Sequence, residues 1–258
     1  MRAIAASEAE VKEIVREDGV GRRCDYFGTS GRITMAPQGF LVERPYANAR
    51  IDPHFHDIDQ FQVVVAGGGH IGKKPVRSVT FQYADAYTPY GPIVAQEDGI
   101  SFFTLRNVAS GGHFSMPGSK HLMPCRAGRN IAAVFEQNLD PLAEGDVKRE
   151  ALMDSQGDGV DAVGIRLGAN ATADGLRNDG GGQYYLVCAG SIVADGKTLS
   201  ENSLIRVDPS EETPSLKAGG EGANVLALQF ARPSERPGTD LEALATRNPE
   251  GYVQKTEK

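Results

Sequence analysis

All five histidines of this 258-residue chain fall in its first half, at His54, His56, His70, His113 and His121. Two of them form the triplet His54-Phe55-His56 within the stretch DPHFHDIDQFQVVVAGG. Residues two apart on a strand project to the same face, so both imidazoles can enter one cavity. Imidazole is the commonest transition-metal ligand near neutral pH, and two of them with one oxygen donor leave positions open for water, O2 or substrate. The bland alternative is a pair of ordinary interior histidines. His70 follows three glycines and reads as a turn residue. His113 and His121 sit in the Gly/Pro/Ser-rich stretch ASGGHFSMPGSKHLMPCRAG, a loop able to fold over a cavity mouth. The chain has no GxSxG, no P-loop and no strand-following GxGxxG, and nothing marks a nucleophile pair.

The elements that must hold these residues are strands. Thirty-one glycines and 14 prolines punctuate short runs rich in Val, Ile, Phe and Tyr. Such runs include Phe40-Leu41-Val42, Phe61-Gln62-Val63-Val64-Val65, Ile100 to Leu105, Tyr184 to Cys188 and Asn224 to Phe230. Their composition and their turn-forming borders predict an all-β fold. Only the first fifteen or so residues read as helical, with Val11, Ile14 and Val15 on one side, and a second short helix fits 233–245.

Composition narrows the partners. A formal charge of −7 argues against a nucleic-acid partner, because phosphate binding needs a basic face. No apolar run approaches a membrane span, and the charged N-terminus does not read as a signal peptide. Cys24, Cys125 and Cys188 are odd in number and widely spaced, as expected of reduced thiols in a cytoplasmic protein.

A displacement of 123 residues superimposes the chain on itself. QFQVVVAGG from Gln60 falls on QYYLVCAGS from Gln183, Gly67 on Gly190, and Asp85 on Asp208. Phe40-Leu41-Val42 falls on Val163-Gly164-Ile165, and Phe102 to Leu105 on Val225 to Leu228. Self-similarity of this kind marks a duplicated structural unit. The expected division is a helical lead-in over 1–33, a first barrel over 34–140, a linker over 141–156, a second barrel over 157–232 and a tail over 233–258.

These residues resemble the cupin superfamily. Its first motif ends His-x-His, three or four residues, Glu, six residues, Gly. His54 and His56 match the pair, Gln60 stands where the glutamate would be, and Gly67 matches the closing glycine. Pro89-Tyr90-Gly91 matches the Pro-x-Gly turn of the second motif, with Val94 in place of its histidine. The resemblance implies two tandem jelly-roll barrels, a bicupin. It also implies a divalent ion (Fe, Mn, Ni or Zn) held by His54, His56 and Gln60, with His70, His113, His121, Asp57 or Asp59 as further candidates. Phe61, Tyr83, Tyr87, Tyr90 and Val94 would line the cavity. In the second copy the ligand positions carry Arg177, Asp179, Gln183 and Lys217, of which the Arg and the Lys would repel a divalent cation.

Two readings follow from the resemblance. One is a metal-dependent enzyme of dioxygenase-like or related chemistry on a small molecule. The other is a non-catalytic bicupin, a small-molecule binding or structural protein with a decayed metal site. Under either, the expected partners are a small-molecule ligand and a second copy in a homodimer. The repeated glutamine, Gln60 and Gln183, allows a further possibility: its side chain hydrogen-bonds across the cavity in both barrels and ligates nothing.

Overall fold

A computed structural model describes residues 1–29, 32–137 and 139–247. Strands account for most of the ordered backbone, in two large antiparallel sheets and one two-stranded ribbon among the described residues. The nine-stranded sheet runs, from one edge, through strands Asn130–Val134, Thr80–Ala84, Gln60–Ile71, Ile93–Arg106, Gln38–Arg44, Gly19–Phe27 and Glu10–Arg16. Arg50–Ile51 and Lys74–Arg77 pair on its flanks. The eight-stranded sheet runs through Arg2–Ile4, Leu204–Val207, Gln183–Ala194, Ser215–Gln229, Asp161–Leu167 and Val147–Ala151, with Thr172–Asp174 and Lys197–Ser200 paired on its flanks.

The duplication is carried strand by strand. Gln38–Arg44 and Asp161–Leu167, Gln60–Ile71 and Gln183–Ala194, and Lys74–Arg77 and Lys197–Ser200 are each separated by 123 residues. The long central strands bend at matched glycines. Gly67 (φ 64°) crosses Gly99, and Gly190 (φ 69°) crosses Gly222. A Cβ at Gly67 would lie 2.2 Å from the Gly99 carbonyl oxygen, and one at Gly190 2.1 Å from that of Gly222. Only glycine meets both the backbone sign and the clearance.

Alternation sorts the first barrel's side chains by face. Val64, Ala84, Tyr90, Ile93, Ala95, Ile100 and Phe102 join one interior cluster, which puts Gln60, Gln62, Gln82, Thr104 and Arg106 on the same side. The second barrel's interior is apolar and tightly filled, with Tyr185, Val187, Leu199, Ile205, Leu216 and Val225 at 0% exposure.

The N-terminal helix does not form. Ala6–Glu8 makes a single 3-10 turn, and Glu10–Arg16 is a strand in a hairpin with Gly19–Phe27. Val11, Ile14 and Val15 are β-branched, and the hairpin supplies backbone partners that a short isolated helix could not match. The second expected helix is present as Leu241–Ala245, capped by Asp240, whose side chain accepts from the Ala243 amide.

The described chain divides into two compact units, with boundaries unlike the expected tandem order. One comprises Glu10–Ala132 with the segment from Pro233 onward, and carries the first barrel. The other comprises Met1–Ala9 with Ala133–Arg232, and carries the second. The stretch expected to be a linker contains strand Val147–Ala151, paired to Asp161–Leu167. Hydrogen bonding to a neighbouring strand overrides its charged composition. No helix among the described residues is long and apolar enough to cross a membrane.

Candidate functional site

His54 and Phe55 form a short strand paired with Phe114 and Ser115. Phe55 stacks on Phe114 at 5.0 Å between ring centroids, and this anchor brings the preceding residue, His113, onto His54. The His54 and His113 rings stack at 3.9 Å, and His56 stands edge-on to both at 5.2 and 5.9 Å. Tyr90 packs against His54 at 4.6 Å. His54 and His56 are buried, while His113 is exposed.

The cluster is locked by hydrogen bonds. His54 Nδ1 is 2.7 Å from the Asp52 carbonyl. His56 Nδ1 meets the Gly112 carbonyl, so that nitrogen carries the proton and Nε2 is the acceptor. The group that donates to Nε2 is Arg106, from Nη2 at 2.9 Å. Arg106 also donates to Gln60 Oε1 from Nη2 (3.1 Å) and Nε (3.2 Å), and to Gln38 Oε1 from Nη1 (2.7 Å). Gln60 Nε2 in turn donates to the Tyr90 hydroxyl. Burial, then the His113 ring and the Arg106 charge, lower the pKa of His54 to about 3. Burial and Arg106 likewise hold His56 well below the ordinary histidine value. Burial moves the Tyr90 phenol up to about 12. The site is therefore two neutral imidazoles and a neutral phenol around one fixed positive charge.

This donor set does not fit a metal ion. The Nε2 lone pair of His56 and the Oε1 of Gln60 both face a guanidinium, whose charge repels a divalent cation. Among the described residues no group of three His, Cys, Asp or Glu side chains is arranged to hold a metal. The second barrel bridges the same three positions with neutral and acidic groups. Gln229, 123 residues beyond Arg106, accepts from Gln183 Nε2 at 2.7 Å and donates to Asp179 Oδ1 at 3.0 Å. In both barrels the repeated glutamine thus bonds to the side chain beside it on the neighbouring strand.

Several expected site residues lie elsewhere. Phe61 and Tyr83 project from the opposite faces of their strands and pack on each other at 4.9 Å, outside the cavity. Tyr87 turns away with φ 59° and packs near Phe55 at 5.9 Å. Val94 alternates away from interior residues Ile93 and Ala95, directly across from His70. His70 is on strand Gln60–Ile71, not in a turn, and is exposed, since the three preceding glycines bend the strand without ending it. His121 lies in an exposed 3-10 turn, bonded to the Gly118 carbonyl.

The acidic candidates serve the frame. Asp59 is clamped by the Arg236 guanidinium, the Tyr83 hydroxyl (2.6 Å) and the Ala86 amide (2.9 Å). Asp57 accepts from Arg247 (2.9 Å), Ser110 (3.0 Å) and the Gly111 amide (2.8 Å). It thereby fixes the loop whose Gly112 carbonyl orients His56. Arg106 falls outside both motifs, yet a basic residue on an apolar strand, at FFTLR, was the signal available for it.

No protein-family model matches the chain, and no curated protein sequence matches it. Solved structures do. Oxalate decarboxylase from Bacillus subtilis superimposes with a TM-score of 0.59 at 10% identity, covering 97% of this chain and 84% of that one. The pirin YhhW of Escherichia coli, solved in complex with nickel(II), gives 0.52 at 12% identity, covering 90% and 99%. Vicilin from hazelnut, Corylus avellana, gives 0.55 at 12% identity, covering 88% and 85%. The chain has the all-β cupin fold. Its two copies, related strand by strand, give two sheets of that fold.

Proposed function

We propose that the chain is a small-molecule-binding bicupin in which Arg106 takes the place of the metal in the first barrel. The observation that carries this is the guanidinium bonded to both His56 Nε2 and Gln60 Oε1. The equivalent bridge Asp179–Gln229–Gln183 supports it, since it joins the same positions in a barrel with no histidine at all. Arg106 supplies a fixed cation, and the neutral imidazoles and Tyr90 supply hydrogen bonds and walls for a ligand.

The second reading is a divalent-metal enzyme with dioxygenase-like or related oxidoreductase chemistry. The closeness of the His54, His56 and His113 rings favours it, as does the nickel complex of the pirin with the same fold. Metal content separates the two. Elemental mass spectrometry on untagged protein, before and after reconstitution with Mn, Fe, Ni or Zn, is expected to find no stoichiometric metal in the wild type. Arg106→Gln, which installs the second barrel's residue, is expected to raise metal uptake. Stoichiometric metal in the wild type that is lost in His54→Ala/His56→Ala would overturn the proposal and establish the enzyme reading.

A homodimer and a cytoplasmic location complete the proposal. Strand Glu10–Arg16 ends its sheet with Val11 and Val15 exposed, which suits pairing by sheet extension. Light scattering after gel filtration tests this. The three cysteines are all free thiols, in keeping with a reducing compartment.

A further inference from the structure

The first barrel holds a further recess, whose wall shares Tyr90 with the His56–Arg106 site. It encloses about 320 Å³ and is lined by Ile71, Lys73, Lys74, Gln82, Tyr90 and Asn130, with glycines between. That volume lies at the small end of ligand pockets. Its lining includes two lysines, Lys73 and Lys74, and no Asp or Glu.

The lining also carries unmet hydrogen-bonding capacity. Gln82 is 4% exposed, and its Nε2 has no hydrogen-bond partner among the described residues. Asn130 Oδ1 is likewise out of solvent contact and unpartnered. Gln62 sits directly across from Gln82 on the neighbouring strand, 4% exposed, with its Oε1 also unpartnered. A buried donor or acceptor left unmade costs about 1–3 kcal/mol. The fold does not demand these groups. The positions 123 residues beyond Gln62 and Gln82 are Tyr185 and Ile205, both fully buried in the second barrel's apolar core. One copy carries at these positions an isoleucine and a tyrosine whose hydroxyl is paired, and the other keeps buried amides with unpartnered atoms.

We infer that this recess binds a small hydroxy acid: its carboxylate between Lys73 and Lys74, and its hydroxyl accepting from Gln82 Nε2 and donating to Asn130 Oδ1. A hydroxyl is the simplest group that does both. The side-chain amides recognise the neutral end, and the lysines attract the charged end from solvent. The inference shares only Tyr90 with the Arg106 proposal, which the metal measurement tests separately.

Isothermal titration with lactate, malate and citrate, each against its deoxy partner propionate, succinate or tricarballylate, tests it. At least one hydroxy acid should bind saturably, roughly 10-fold tighter than its partner, because the partner leaves Gln82 and Asn130 unpaired. Gln82→Ile, the second barrel's residue, should remove that preference while leaving thermal stability equal or higher. Lys73→Ala/Lys74→Ala should weaken acid and partner alike by roughly 5-fold at low salt and flatten the salt dependence. Absence of saturable binding overturns the inference. So does binding that Gln82→Ile leaves unchanged, or binding lost only in Arg106→Gln, which would put the ligand at the other site.

Discussion

The hydrogen bond from Arg106 to His56 exists only while the imidazole is neutral, which ties the first barrel to pH. An unfolded histidine titrates near 6.5, whereas His54 in the folded chain is lowered to about 3 and His56 also lies well below its ordinary value. Above that unfolded value neither state takes up a proton at these sites and stability is complete. As pH falls below it, the unfolded chain gains protons that the folded one refuses. Stability should therefore decline as pH falls, by about 1.4 kcal/mol per pH unit from His54, with His56 acting in the same direction. Urea midpoints measured from pH 7 to 4.5 check this, and His54→Gln should shallow the slope. At neutral pH, His56→Ala leaves the Gly112 carbonyl with only the Ser110 hydroxyl and removes an acceptor from Arg106. It should cost about 3 kcal/mol in the same assay.

At the scale of elements, two devices hold the site in shape. The first is the paired glycine crossing in each barrel. Gly67→Ala and Gly190→Ala each impose a positive φ on a side chain and a Cβ against a carbonyl oxygen. Each should destabilise its barrel by at least about 2 kcal/mol. Equal effects in denaturation would confirm that the bend is a repeated requirement. The second device is the segment after Pro233, whose arginines grip the two aspartates that follow the His-x-His triplet. Arg236→Ala leaves the buried Asp59 carboxylate without its main counter-charge. The expected loss is about 3 kcal/mol, seen as a lowered first transition in calorimetry. Strand periods and turn glycines are legible in the sequence because they are local. The N-terminus defeats the same kind of reasoning. Val11, Ile14 and Val15 satisfy a helical spacing and a strand's preference for β-branching at once, and only a hairpin partner decides between them.

At the scale of the whole molecule, the duplication provides its own comparison. Two barrels of one strand plan carry different interiors, so features present in one alone are not imposed by folding. The chain's ends are exchanged relative to a simple tandem order: Arg2–Ile4 pairs with Leu204–Arg206, and Arg236 and Arg247 return to Asp59 and Asp57. A fragment ending near residue 140 lacks both arginines. It should unfold at a lower temperature than the same fragment extended by the segment from Pro233 onward, as circular dichroism melts would show. By itself the sequence determined the all-β class, the 123-residue repeat and the spacing of the His-x-His pair, since each depends on neighbours in the chain or on simple periodicity. Only the tertiary structure decided what faces those histidines. Arg106 lies 50 residues from His56 and Arg236 lies 177 from Asp59. Strand pairing and the returning C-terminal segment set such meetings, and no local pattern encodes them.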